Sequence, residues 1–164
     1  MALLLSSNYL SILIVTGALG AAAYFLDQYL STNKKKGKRE AIFSDKTATS
    51  VEESWLEVER IGAEKVGAIL FKNIFEAAPD ALLMFSFKDE KDLYKSKAFL
   101  RHGKQVVNTV GAAVAGLRSA ERLIPFLKDL GEKHIMMGKG IGKAHYDLVG
   151  EMLIVSYSNN TIKI

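Results

Sequence analysis

The sequence predicts an all-α domain preceded by a single transmembrane helix. From Val51 onward, apolar residues recur at intervals of three and four, which is typical of amphipathic helices. No convincing alternation of apolar and polar residues predicts a strand, except in the last segment, 154–164. The residues from Leu3 to Leu26 carry no charge, which is typical of a membrane span. We therefore divide the chain into a transmembrane anchor (1–30), a basic flexible linker (31–50) and a helical domain (51–164).

The N-terminal segment is long enough to cross a membrane as a helix. The uncharged stretch would be roughly 36 Å long, against a hydrocarbon core of about 30 Å. Tyr24 and Phe25 lie at one end of it, and a basic run follows at 34–39. By the positive-inside tendency, the following domain faces the cytosol. We expect a single-pass membrane protein in contact with membrane lipid. A cleaved targeting peptide, with Gly20–Ala23 as its cleavage site, and a buried globular helix are the alternatives.

Charge and cysteine content exclude several classes of function. The net charge is +4, and five of the positive charges lie in the run at 34–39. The rest of the chain is close to neutral and lacks basic residues interleaved with aromatic ones, so we predict no nucleic-acid partner. Cysteine is absent, which excludes disulfides, thiolate metal sites and cysteine nucleophiles.

The first two predicted helices lie between residues 51 and 77. In the first, Val51, Trp55 and Val58 form an apolar stripe, and Thr49 or Ser50 supplies a plausible N-cap. The second runs from about Glu64 to Ala77, before Pro79 stops it or opens a short further turn. Residues 80–87 are apolar and aromatic, and 88–97 are highly charged, which favours a loop or a brief surface helix.

Three more helices follow, according to the same periodicity. The first runs from about Phe99 to Leu117, with Val106, Val107, Val110 and Val114 on its inner side. Its small residues, including Gly103 and Gly111, allow another backbone to approach closely. The next covers 119–134, a loop follows at 136–143, and the last helix begins near Ala144.

The histidines are the residues best suited to chemistry. The sequence lacks phosphate-binding glycine motifs, nucleophile elbows and the HExxH zinc motif. His102 lies four residues before Val106, so both project from one helical face. His134 ends another helix. A single helical histidine is usually a core or surface residue, but two on facing apolar helices can hold a flat apolar cofactor with its metal between the imidazoles.

Several motifs resemble those of the globin family, and specifically the neuroglobin-like and single-domain eukaryotic globins. The match covers about 51–154 in the correct order. It implies a globin-like helical fold that lacks most or all of the final helix, because few residues follow the helix near Ala144. The matching segments are Trp55, Val66–Asp80, Phe85, Leu100–Val106, Leu130–His134 and Tyr146–Glu151.

The resemblance implies a haem b cofactor with His134 as the proximal iron ligand. The other ring nitrogen of His134 would donate to a main-chain carbonyl near Leu130. His102, on the distal side, would either donate a hydrogen bond to bound oxygen or occupy the sixth iron position. Phe85 would pack against the porphyrin, and Phe71 would cap the distal pocket. The remaining dry wall of the pocket would consist of Val106, Leu130, Tyr146 and Val149.

The function implied by the resemblance is reversible binding of a diatomic gas, namely oxygen, carbon monoxide or nitric oxide, at a membrane. One alternative is a haem redox enzyme, such as a nitric oxide dioxygenase or nitrite reductase, which would need an external reductase because the chain has no flavin or nicotinamide domain. Another is a degenerate globin that acts as a sensor or binds a partner but not haem. The short C-terminal end keeps this last alternative open.

Overall fold

Five α-helices and two short 3-10 helices account for most of the residues that the structure describes. The structure is a computed structural model, and it describes residues 43–158. This part of the chain contains no strand, which confirms the predicted all-α class. The helices are α1 (Asp45–Ile61), α2 (Ala63–Ala77), α3 (Lys97–Ala115), α4 (Ala120–Met136) and α5 (Lys143–Ser158), with 3-10 helices at Pro79–Met84 and Leu93–Lys95.

Helix α1 begins at Asp45, earlier than predicted. The N-cap is Ser44, whose hydroxyl oxygen accepts a hydrogen bond from the backbone N–H of Thr47 at 3.1 Å. Ala48 is buried in the core, so packing also holds the first turns in place. Residues 45–50, which were predicted to belong to the linker, are therefore helical, and residues 31–42 lie outside the described part of the chain.

Helices α2 and α3 cross with their backbones in contact. A Cβ atom built on Gly67 would lie 2.3 Å from the carbonyl carbon of Gly103, so neither position has room for a side chain. This confirms that Gly103 permits a close approach. The crossing lies within a core to which all five helices contribute. Its large buried members include Val51, Trp55, Val58, Val66, Leu70, Ile74, Phe99, Val107, Val110, Val114, Leu117, Leu123 and Leu153.

A buried polar contact fixes α5 against α2. The side-chain amide of Asn73 donates to the hydroxyl oxygen of Ser156 at 2.7 Å, and that hydroxyl donates to the carbonyl of Met152 at 2.6 Å. Ser156 is fully buried. Both hydrogen bonds are therefore needed to offset the free energy of removing its hydroxyl from water. They set the register of α5 on α2. Residues 154–158, where a strand had remained an alternative, are helical.

Arg118, in the corner between α3 and α4, forms ion pairs and a hydrogen bond with α1. Its guanidinium donates to the carboxylate of Glu52 at 2.9 Å, to that of Asp45 at 3.0 Å and to the hydroxyl of Thr49 at 2.7 Å. The hydrogen bond to Glu52 raises the pKa of Arg118. These contacts join the corner to α1 at the protein surface, where the guanidinium takes the forked geometry that suits carboxylates.

The predicted membrane localisation requires correction. The predicted anchor, residues 1–30, lies outside the described residues. Within 43–158, no helix is both long and apolar enough to cross a membrane. The longest, α3, has 19 residues and carries Lys97, Arg101 and Lys104, whereas a span needs about 20 predominantly apolar residues. The prediction of a single-pass membrane protein is therefore wrong for the part of the chain that the structure describes.

Candidate functional site

The eight residues predicted to line a cofactor site lie on four helices and one turn. Helix α3 carries His102 and Val106, α4 carries Leu130 and His134, and α5 carries Tyr146 and Val149. Phe85 ends the first 3-10 helix, and Phe71 belongs to α2. Phe71 is buried and the other seven are half-buried. The site therefore consists mainly of side chains that are partly accessible at the edge of the core.

His134 is held in a defined orientation in the last turn of α4. Its Nδ1 lies 2.8 Å from the carbonyl oxygen of Leu130, which is the hydrogen bond expected from the sequence. Because a carbonyl only accepts, Nδ1 has to carry the proton, and the lone pair is then on Nε2. The ring of Tyr146 lies edge-on at 5.5 Å between centroids. His134 therefore presents Nε2 as a free nitrogen donor.

His102 lies among phenylalanine rings. The centroid of its imidazole is 4.8 Å from that of Phe71 and 5.0 Å from that of Phe85, and both contacts are edge-on. Burial lowers the pKa of His102 to about 4, and the charges of His134 and Lys139 lower it in the same direction. The imidazole is therefore neutral near pH 7, with one nitrogen able to donate and the other able to accept.

The charge of His134 contributes to the lowered pKa of His102. Val106 and Val149 are half-buried and pack against the core. The structure thus surrounds His102 with aromatic side chains and holds His134 through a hydrogen bond within its own helix.

Two residues of this region were not predicted. Phe87 stacks on Phe85 at 5.0 Å between centroids and lies 6.0 Å from the ring of His102. The ammonium of Lys139 donates to the carbonyl oxygen of Met84 at 2.5 Å, so the loop between α4 and α5 reaches the first 3-10 helix. Lys139 stands between Gly138 (φ 63°) and Gly140 (φ 65°), and these left-handed positions favour glycine.

Comparisons with known proteins decide the family. The family model described as Globin matches residues 68–161. The chain is 34% identical to the neuroglobin of Danio rerio over 117 residues, which cover 68% of this chain and 70% of that protein. It is 32% identical, with the same coverage, to the neuroglobin of Dissostichus mawsoni and to neuroglobin-1 of Oncorhynchus mykiss. The chain belongs to the globin family. No solved structure matches this globin significantly.

Membership of the globin family supports a haem cofactor and a diatomic gas ligand, and the nitrogen donors of this globin fit such a group. Within 43–158, no three side chains of His, Cys, Asp or Glu come together in a way that could hold a metal. A porphyrin supplies four nitrogen ligands to iron itself and needs only one or two axial ligands from the protein. The imidazoles of His102 and His134 match that requirement.

The lowered pKa of His102 predicts that this globin, when free of haem, loses stability in acid. The unfolded chain takes up the proton near pH 6.5, whereas the folded protein takes it up only near pH 4. The contribution of the neutral imidazole is therefore complete above pH 6.5 and is lost as the pH falls from 6.5 to 4.

We expect the free energy of unfolding of the wild-type protein to fall by up to about 2 kcal/mol more than that of His102→Gln between pH 7.5 and pH 4.5, after allowance for the partial exposure of the ring. Urea denaturation of the two haem-free proteins at both pH values measures the difference. Equal losses in both would show that His102 titrates like a solvated histidine.

Proposed function

We propose that this globin holds haem b, with His134 as the proximal iron ligand and His102 on the opposite side, and that it reversibly binds oxygen or another diatomic gas. The proposal depends above all on the hydrogen bond from Nδ1 of His134 to the carbonyl of Leu130, at 2.8 Å. Histidines that ligate metals commonly donate their second ring nitrogen in this way.

The proximal residues control the direction of the nitrogen donor. Haem iron, when bound, supplies the reversible bond to the gas. The carbonyl of Leu130 keeps the proton on Nδ1 and the lone pair of His134 on Nε2. The ring of Tyr146, edge-on to the imidazole, limits rotation about the side-chain bonds of His134. Burial raises the pKa of Tyr146, so its hydroxyl stays neutral.

The distal residues determine what can reach the opposite side of the iron. Because the pKa of His102 is about 4, its neutral ring can donate a hydrogen bond to the gas ligand or supply a nitrogen as the sixth ligand. Phe71 and Phe85 contact this ring, and Val106 follows it by one turn on the same face. These apolar groups would limit the access of water to bound haem.

Reconstitution of the full-length chain with haemin tests the proposal. We expect a coloured protein whose Soret band, after anaerobic reduction, shifts with carbon monoxide and returns when the gas is removed. The spectrum before addition of gas distinguishes the two roles of His102, because a sixth histidine ligand gives the two sharp visible bands of low-spin ferrous haem. A protein that folds, as far-ultraviolet circular dichroism reports, but stays colourless would contradict the proposal and favour a globin without haem.

A further inference from the structure

A pocket of about 170 Å³ lies between α1 and α3, apart from the candidate haem site. Trp55, Val58 and Val107 are buried and form its floor, while Glu59 and Asn108 are exposed at its rim. The floor is therefore apolar and the rim polar, which is the arrangement found in many small-molecule sites. Its complete lining is Trp55, Val58, Glu59, Ala63, Val107, Asn108 and Gly111.

The pocket opens on the face of α3 that points away from the haem site. Successive residues of a helix are separated by about 100°, so Gly111, nine residues after His102, lies on the opposite side of the helix axis. A molecule in the pocket would touch neither His102 nor Val106. Occupation of the pocket and ligation of the iron can therefore be measured independently.

Gly111 lets α3 pack closely against the indole of Trp55. A Cβ atom at this position would lie 3.0 Å from Nε1 of Trp55 and 3.3 Å from its Cε2 and Cζ2 atoms. A methyl group at position 111 would therefore press on the indole, which would have to shift by a few tenths of an ångström. The shape of the floor depends on this contact.

The charge at the rim selects the kind of molecule that the pocket can take. Glu59 lies on α1. On this helix, Glu52 forms an ion pair with Arg118, and Glu57 forms one with Arg60. Glu59 forms no ion pair with any residue between 43 and 158. Its carboxylate stands beside an apolar floor that includes an indole, the aromatic group with the strongest attraction for cations. This combination favours a cation with an apolar body.

We propose that this pocket binds a small aromatic or branched alkyl ammonium ion. The apolar body lies on Trp55, Val58 and Val107, and the ammonium group pairs with the carboxylate of Glu59. The volume fits this class of ligand, because an apolar cavity of about 150 Å³ in another protein accommodates benzene. The carboxamide of Asn108 stands at the same rim and can accept a further hydrogen bond from the ammonium.

Titration of the full-length protein with benzylammonium tests this proposal. Trp55 is the single tryptophan of the chain, so its fluorescence reports the pocket directly, and calorimetry provides a second measurement. We expect saturable binding with a dissociation constant on the order of 1 mM. Benzyl alcohol, which has a similar shape but no charge, is expected to bind about threefold more weakly, because an exposed ion pair contributes little.

Two variants and one matched control separate the effect of charge from that of shape. Glu59→Gln is expected to reduce the affinity for benzylammonium to that for benzyl alcohol and to leave benzyl alcohol unaffected. Glu53→Gln removes an exposed carboxylate of the same helix outside the pocket and serves as the matched control. Gly111→Ala, which displaces the indole of the floor without changing charge, is expected to weaken the binding of both ligands by at least about threefold.

Three results would overturn the proposal. One is a fluorescence signal that does not saturate or that benzoate reproduces with equal affinity. Another is an equal loss of benzylammonium binding in Glu59→Gln and Glu53→Gln, since that would indicate a general effect of net charge. The third is binding that occurs only with a shift of the Soret band, which would place the amine on haem iron and not in this pocket.

Discussion

His134→Gly is expected to remove the axial bond to haem iron and to raise the rate of haem loss by at least roughly 100-fold, because changes around a metal ligand already cost about 10- to 100-fold in affinity. The substitution deletes both the nitrogen donor and the hydrogen bond to the carbonyl of Leu130. Helix α4 carries no other histidine. The rate of haem transfer to an excess of a haem-accepting apoprotein measures the effect.

His145→Gly is the matched control for this change. Nδ1 of His145 accepts a hydrogen bond from the backbone N–H of Gly142 at 3.0 Å, so this histidine stabilises the start of α5. We expect a Soret band close to that of the wild-type protein. Free imidazole should restore a histidine-like spectrum to His134→Gly but leave His145→Gly unchanged. If the two variants lost haem at the same rate, His134 would not be the iron ligand.

Gly67→Ala is expected to lower the free energy of unfolding by about 2–4 kcal/mol, a large part of the stability of a small domain. The new methyl group would lie 2.3 Å from the carbonyl carbon and 2.4 Å from the carbonyl oxygen of Gly103. Both are backbone atoms, so α2 and α3 would have to separate. Urea denaturation followed by far-ultraviolet circular dichroism measures the loss.

Gly131→Ala is the matched control, because Gly131 lies on another helix and has no close neighbour. A Cβ atom at Gly131, within α4, would meet no atom within 4 Å. We therefore expect only the gain in helix propensity, which is a stabilisation of about 0.5–1 kcal/mol. The prediction for the helix crossing would be contradicted if Gly67→Ala were as stable as Gly131→Ala.

The positions of most helices could be predicted because their signals are local. Helix α2 was expected from Glu64 to Ala77 and runs from Ala63 to Ala77, between Gly62, with φ of 95°, and Pro79. The start of α1 was predicted incorrectly because four hydroxyl residues, at 44, 47, 49 and 50, are all acceptable N-caps. Burial of Ala48 against the core favours the earliest of them, and such a distant contact leaves no mark on local spacing.

Some contacts of the candidate site join residues close in the sequence, and others join residues far apart. The hydrogen bond from His134 to the carbonyl of Leu130 was implied by the resemblance to globins, and it joins residues four apart on one helix. The contact of Lys139 with Met84 joins residues 55 positions apart, and its acceptor is a main-chain carbonyl, which every residue has. No residue type near Met84 could have indicated this partner. The environment of His102 likewise depends on phenylalanines from two separate segments, with Phe71 in α2 and with Phe85 and Phe87 after the first 3-10 helix.

The crossing of α2 over α3 has a consequence for how the distal side can move. Gly103 directly follows His102, and its backbone touches that of Gly67. The close packing of α2 therefore restricts movement of the main chain at His102. Under the proposed function, the ring can swing toward or away from the metal only by torsion about its own χ angles, between the surrounding phenyl groups. The rate of gas binding would then depend on one change of rotamer of His102, while the helix itself stays in place.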